Sequence, residues 1–165
     1  MGVFRMTFES LRRPFEPLIG NVLHFYWRFS RGLTIGVRGL VIDGTGRVFL
    51  VKHGYVAGWH LPGGGVETGE TVSMALAREL REEGNIELGE APQFFAVYFN
   101  RRVSHRDHVA LYVVRSFHQR SAPQPNREIV AHGFFAPDAL PADTGRATRE
   151  RIAEVLGARS VAELW

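Results

Sequence analysis

The stretch Leu61-Pro62-Gly63-Gly64-Gly65-Val66-Glu67-Thr68-Gly69-Glu70-Thr71-Val72-Ser73-Met74-Ala75-Leu76-Ala77-Arg78-Glu79-Leu80-Arg81-Glu82-Glu83-Gly84-Asn85-Ile86 changes character at Thr71. Before that point, proline removes a donor and the glycine run reaches backbone angles that other residues avoid. Residues 61–65 therefore predict a tight loop whose main chain can approach a ligand closely. After it, Ala, Leu, Arg and Glu dominate, and these favour helix. Thr71 is a suitable N-cap. Gly84-Asn85 is a suitable stop, because both residues tolerate the left-handed conformation used at helix ends.

On that helix Glu79, Glu82 and Glu83 stand at i, i+3 and i+4, within an arc of roughly 100°. Leu76 and Leu80 lie beside the arc and face the core. The acids thus sit at the edge of the buried stripe. Like charges at this spacing cost a helix a few tenths of a kcal/mol per pair. A hard divalent cation would remove that cost, and Mg²⁺ binds through carboxylates together with substrate phosphates. Taken alone, the same acids also describe a solvated face with Arg78 and Arg81 as neighbours.

The loop and helix together narrow the choice. Gly64, Glu70, Arg78, Glu79, Leu80, Glu82, Glu83 and Ile86 match the spacing Gly-x5-Glu-x7-Arg-Glu-U-x-Glu-Glu-x-Gly-U, with U a bulky aliphatic. This resembles the Nudix box, the signature of Nudix hydrolases. One position departs, since Asn85 replaces the last glycine, but no acid is missing. Leu61-Pro62-Gly63 ahead of the box is also typical of that family.

Working outward, Leu33 to Ile42 alternates in a β-rich pattern, Asp43-Gly44-Thr45-Gly46 reads as a hairpin turn, and 47–53 as the partner strand. His53 to Gly58 is a loop, and 59–61 is a short strand into the box. Beyond the helix, 92–100, 108–118 and 128–135 read as strands. They are separated by the cationic loop 101–107 and the open loop 119–126. Thr144 caps a helix through Leu156, closed by Gly157, and residues 160–165 add a last short turn. Strands and helices mix without strict βαβ alternation, which predicts a mixed sheet with helices on its faces. That is compatible with the fold the resemblance implies, an α/β (α+β) sandwich of α/β/α type.

Residues 1–31 fall outside the resemblance. They carry Phe4, Phe8, Phe15, Phe25, Tyr26, Trp27 and Phe29 with Arg5, Arg12, Arg13, Arg28 and Arg31. Pro17 opens a helix to about Ser30. The expectation is a helical extension packed on its own domain or across a homodimer interface; the alternative is contact with an anionic membrane surface. Residues 32–157 form the Nudix-like domain, and 158–165 a C-terminal tail.

At 165 residues the chain makes one domain of ordinary size. It has no cysteine, which excludes a disulfide framework, a thiolate metal site and a Cys nucleophile, and it fits the cytoplasm. Net charge is +3, with Lys52 the sole lysine, an excess too small to argue for DNA binding. No secretory leader or membrane span is visible.

The resemblance implies a hydrolase that cleaves a nucleoside diphosphate linked to another moiety, NDP-X, with Mg²⁺ or Mn²⁺, by water attack at phosphorus. It implies that Glu79, Glu82 and Glu83 ligate metal and that Gly63 offers its carbonyl. Arg78 orients the glutamates, while Gly64 and Glu70 support the loop. The general base is one of the box glutamates or a later acid, for which Glu128 is the candidate. His53, His60 and His132 are read as structural. Arg101, Arg102, His105 and Arg106 are either phosphate contacts or a solvated tip; Tyr55, Trp59 and Phe135 either stack a base or fill the core. Two other readings stand against hydrolysis. A non-catalytic nucleotide-binding sensor of the same fold would be expected to lose box acids, and an isoprenoid diphosphate isomerase would need a cysteine. Because the box needs nothing before Gly32, deletion through Ser30 is expected to lower stability or change oligomeric state while sparing metal-dependent hydrolysis. Sedimentation and activity of the truncated protein check this.

Overall fold

The computed structural model describes residues 32–124 and 128–165. The expectations for residues 1–31, the helix from Pro17 among them, lie outside the described residues. Thr34–Trp165 forms one compact unit.

Its elements run β1 (Thr34–Val41), β2 (Val48–His53), β3 (Trp59–His60), α1 (Val72–Gly84), β4 (Ile86–Leu88), β5 (Gln93–Phe99), β6 (Asp107–Val114), β7 (Phe117–Gln119), β8 (Ile129–Phe135) and α2 (Arg146–Val155). One sheet has the order β1-β6-β5, with β1 parallel to β6 and β5 antiparallel to it. A second has the antiparallel order β3-β2-β8, and β4 pairs β7. This is the expected mixed α+β architecture.

Strand alternation sorts the side chains into two cores. Val37 and Val41 of β1 and Phe49 and Val51 of β2 pack with Leu76 and Leu80 of α1. Leu40, Ile42, Val48 and Leu50, on the opposite parity, pack with Leu61, Tyr98, Leu111 and Ile152 of α2. Gly39 lets α1 approach: a Cβ there would stand 2.9 Å from Leu76 Cδ1.

Four expectations are corrected. β1 and β2 are not hairpin partners. The turn forms, with Asp43 Oδ1 accepting from the Thr45 and Arg47 amides, but only Ile42 bridges Val48. The edge of β1 that β2 would need is occupied by the glycine loop: Val37 N donates to Gly64 O, Gly39 N to Pro62 O, and Val66 N to Ile35 O. The strand expected at 108–118 is broken at Arg115-Ser116 into β6 and β7, and β7 pairs with β4, a strand the sequence reading missed. Gly145, not Thr144, is the N-cap of α2 and makes no side-chain cap bond; Thr144 is buried and bridges Trp59 instead. Residues 160–165 form no helical turn; Leu164 bridges Phe99 in extended form.

That C-terminal segment is held by a buried ion pair. Arg151 Nη2 lies 2.6 Å from Glu154 Oε1, both side chains 0% exposed. Arg151 Nη1 donates to Leu164 O at 2.9 Å and Ala162 N to Glu154 Oε1 at 3.1 Å. Tyr98 donates to Glu154 Oε2 at 2.8 Å, and the guanidinium sits 4.3 Å from the centre of the Tyr98 ring. Removing one partner would leave a buried charge uncompensated. Arg151→Leu is therefore expected to cost about 3–5 kcal/mol of unfolding free energy. Urea titration would read it, and a loss under about 1 kcal/mol, as for an exposed pair, would contradict it.

Candidate active site

The helix of the site is built as its sequence suggests. Thr71 accepts from Met74 N at 3.2 Å. Asn85 takes φ 50°, ψ 33°, and its amide donates back to Arg81 O. The departure from glycine at this position thus leaves the helix end intact.

Leu80 and Glu83 are buried on α1, and Glu83 projects under the glycine loop. Gly63 N donates to Glu83 Oε2 at 2.8 Å. Gly63 has φ 137°, and a Cβ there would stand 2.1 Å from Val37 O, so only glycine fits. At Gly64 a Cβ would stand 2.2 Å from Glu79 Oε1. The two glycines therefore let the main chain close down on two carboxylates.

Arg78 ties the loop to the helix. It donates through Nη1 to Glu79 Oε1 at 2.7 Å, through Nε to Glu70 Oε1 at 3.0 Å, and through Nη2 to Glu70 Oε2 at 3.1 Å and Gly65 O at 3.0 Å. Its hydrogen bonds hold the Glu70 carboxyl below its ordinary range. Glu70 in turn accepts from Glu67 N at 3.1 Å.

A cavity of about 340 Å³ opens beside this frame. Glu79, Glu83, Glu128, Gly63 and Gly64 line it, together with Arg38 and His53. Glu82 does not: its side chain is 55% exposed and lies 3.6 Å from Arg78 Nη1. The carbonyl of Gly63 accepts from Arg38 Nη1. Glu128 lies across the cavity, its Oε1 accepting from Tyr55 OH at 3.3 Å and its carbonyl from Gly54 N at 2.8 Å.

Burial pushes the Glu83 carboxyl up to about 7, with Glu79 and Glu128 adding to the rise; the Gly63 amide and Arg38 oppose it. Desolvation lowers Arg38, against the pull of Glu83 and Glu79. It also lowers His53, aided by Arg38 and His60. The cavity thus holds several acids, one of them buried, beside a single guanidinium. A cation would compensate that surplus, so the residues fit a divalent metal.

Arg38 and His53, and with them His60, line the cavity but escaped the sequence reading. Arg38 left a faint signal, a lone charge inside an apolar strand. His53 left none, because a histidine at a strand end is ordinarily structural. Arg101 and Arg102 line a different cavity, with Arg146 and Arg159. Trp59 packs edge-on against Phe135 at 4.9 Å in the core. Tyr55 lines the site and is 70% exposed.

A family model, the NUDIX domain, matches residues 32–156. The chain belongs to the Nudix family. A MutT-like protein of Streptomyces ambofaciens is 31% identical over 126 residues, covering 76% of this chain and 73% of the relative. Among solved structures, a MutT Nudix hydrolase from Burkholderia pseudomallei is 28% identical with a TM-score of 0.63, covering 74% of this chain and 97% of that one. An ADP-ribose pyrophosphatase from Streptococcus suis is 24% identical with a TM-score of 0.59, covering 80% and 96%. The expected class, a Nudix hydrolase, stands. No helix among the described residues is long and apolar enough to cross a membrane.

The raised Glu83 carboxyl makes a stability prediction for the metal-free Nudix domain. Below pH about 4.5 both folded and unfolded states hold the proton and there is no penalty. Between that value and about 7 the unfolded state releases its proton first, so stability falls as pH rises. Above 7 the penalty is complete, on the order of 3 kcal/mol. Glu83→Gln keeps an acceptor for Gly63 N and removes the charge. Denaturant titrations in chelator are expected to show a larger gain for this variant at pH 8 than at pH 5. An equal gain at both pH values would reject the assignment.

Proposed function

We propose that the chain is a Mg²⁺- or Mn²⁺-dependent pyrophosphohydrolase of a nucleoside diphosphate derivative, NDP-X. The observation that carries this is the convergence of Glu79, Glu83 and Glu128 on one cavity under a glycine loop. Two solved relatives in fold, an ADP-ribose pyrophosphatase and a UDP-X diphosphatase, are consistent with the substrate class.

Glu79 and Glu83 would hold the metal from the helix and Glu128 from the facing strand side. Glu82, outside the cavity lining, would reach it only by a rotamer change or through water. When bound, the metal neutralises the diphosphate and activates water for attack at phosphorus. The chain's own residues do the rest. The Gly63 amide fixes Glu83, so that this carboxylate need not reorganise during the reaction. Arg78 fixes Glu79 against Glu70 and the Gly65 carbonyl. Arg38 presents a buried positive charge to the cavity, where a guanidinium suits phosphate oxygens. Tyr55, exposed at the mouth, offers a ring face to the nucleoside. A carboxylate of the Glu79, Glu83 and Glu128 set receives the proton of the attacking water and Glu128, the most exposed of the three, is the one placed to pass it to solvent.

Formation of NMP and phosphorylated X from a panel of NDP-X compounds is expected to vanish in excess chelator and return with Mg²⁺ or Mn²⁺. Full turnover in chelator would defeat the reading. Even an outer partner of a metal ligand costs 10–100-fold when removed, so Glu83→Gln should lose about a hundredfold or more in kcat while circular dichroism stays unchanged. Wild-type turnover would place Glu83 outside the machinery.

A further inference from the structure

We infer that the metal centre is a mixed nitrogen and oxygen site, in which the His53 imidazole ligates the cation with Glu83 and Glu128, so that it prefers Mn²⁺ or a later first-row ion to Mg²⁺. The inference rests on the metal dependence proposed above and adds to it a ligand that the box does not contain.

The backbone brings these groups together. β2 and β8 pair regularly from Val48–Phe135 to Lys52–Ala131; then the register slips and His53 faces Ile129, leaving Val130 as an extra residue. A bulge of this kind re-aims side chains, and bulges gather beside active sites. Immediately past it, Gly54 N donates to the Glu128 carbonyl at 2.8 Å, which closes the strand end. His53 and Glu128 are thereby held side by side, opposite Glu83 on α1. One nitrogen of His53, one oxygen of Glu83 and one of Glu128 lie within 4.8 Å of one another. Among the described residues this is the group of His, Asp and Glu side chains that could close on one ion.

His53 is not satisfied as a core histidine. It is 8% exposed, and its Nδ1 is buried without a hydrogen-bond partner. Its Nε2 lies 3.6 Å from Glu83 Oε1, outside hydrogen-bond range. Buried polar atoms ordinarily have a partner. His60, its ring neighbour at 6.1 Å between centroids, is by contrast anchored by a 2.9 Å contact of Nε2 with Ala57 O. Of the other polar groups nearby, Arg38 donates to the Leu61 and Gly63 carbonyls and the Tyr55 hydroxyl to Glu128 Oε1. A cation beside Glu83 would meet Nε2, the nitrogen that faces that carboxylate and holds no hydrogen bond to it.

The ligand type then sets the preference. Mg²⁺ demands oxygen and keeps several waters, whereas imidazole suits the first-row transition ions and raises affinity along the Mn²⁺ to Ni²⁺ series.

The full chain, stripped of metal and loaded with one equivalent of Mn²⁺, tests this by electron spin echo envelope modulation. The expected result is a coupling to a directly bound ¹⁴N nucleus in the wild type and in His60→Asn, lost in His53→Asn. Competition calorimetry should also show the affinity ratio of Mn²⁺ to Mg²⁺ falling about tenfold or more in His53→Asn. Bound Mn²⁺ with no nitrogen coupling in the wild type would overturn the inference and leave the proposed hydrolysis standing. Coupling that persists in His53→Asn would overturn it too, by placing the nitrogen on another residue. Failure of Mn²⁺ to bind at all would overturn both readings. The wild-type spectrum decides the matter even where a variant fails to fold.

Discussion

The bond from Gly63 N to Glu83 Oε2, 2.8 Å long and buried, joins two stretches of the chain that are 20 residues apart in sequence. On one side is the glycine loop, seated along β1 through the Val37, Gly39 and Val66 amides. On the other is α1, whose leucines fill the core beneath the same strand. The loop can lie there only because Gly63 adopts φ 137° against the Val37 carbonyl and Gly64 has no Cβ to meet Glu79. The rest follows from that closure. Arg78 can span loop and helix because they are one layer. Arg38, on the strand between them, can reach the Leu61 and Gly63 carbonyls. The displaced partner strand, β2, is freed to build the second sheet, which carries His53 and leads to Glu128 across the cavity.

The helix and its caps were legible in the sequence because their determinants are local. Thr71, Asn85 and the leucine stripe act within a few residues of one another. The glycine loop was legible for the same reason. The pairing of β1 was not. The Asp43-Gly44-Thr45-Gly46 turn is a true local signal and the turn does form. Whether two strands pair beyond a turn depends on what else competes for the edge, and here the competitor lies about 25 residues further along the chain. β4 and β7 are short and stabilise each other across sequence, so neither announces itself alone. Thr144 failed as a cap because its backbone is committed to Trp59, a contact no local rule contains.

Among the site residues the same division holds. Gly63, Gly64, Glu70, Arg78, Glu79, Glu82 and Glu83 came from one contiguous motif, and all but Glu82 sit in or against the cavity frame. Glu128, argued from its place ahead of a strand, lines the cavity as well. Arg38 and His53 come from separate strands and enter the site only through tertiary geometry. His53 depends in addition on the slip between β2 and β8. A period-two pattern cannot reveal a bulge, since a single extra residue leaves each half of the alternation intact.

Two buried ionic clusters among the described residues show why burial alone does not mark a site. Arg151 and Glu154 are fully buried, yet their charges are paired: they meet at 2.6 Å, and Tyr98, Leu164 and Ala162 take up further polar atoms, with Arg151 Nε left without a partner. That cluster has its own counter-charge and holds the C-terminal segment on α2. Glu83 is buried to a similar degree, but its neighbours Glu79 and Glu128 share its sign, and its carboxyl is pushed up to about 7. Arg38 opposes the rise without cancelling it. The folding cost of Glu83 in the metal-free chain and the attraction of its cavity for a cation have one origin, an uncompensated carboxylate fixed by a backbone amide. Making the empty site more comfortable, by neutralising Glu83, would remove the charge that draws a metal in under the proposed function, so on that proposal stability of the empty centre and affinity of the filled one are opposed.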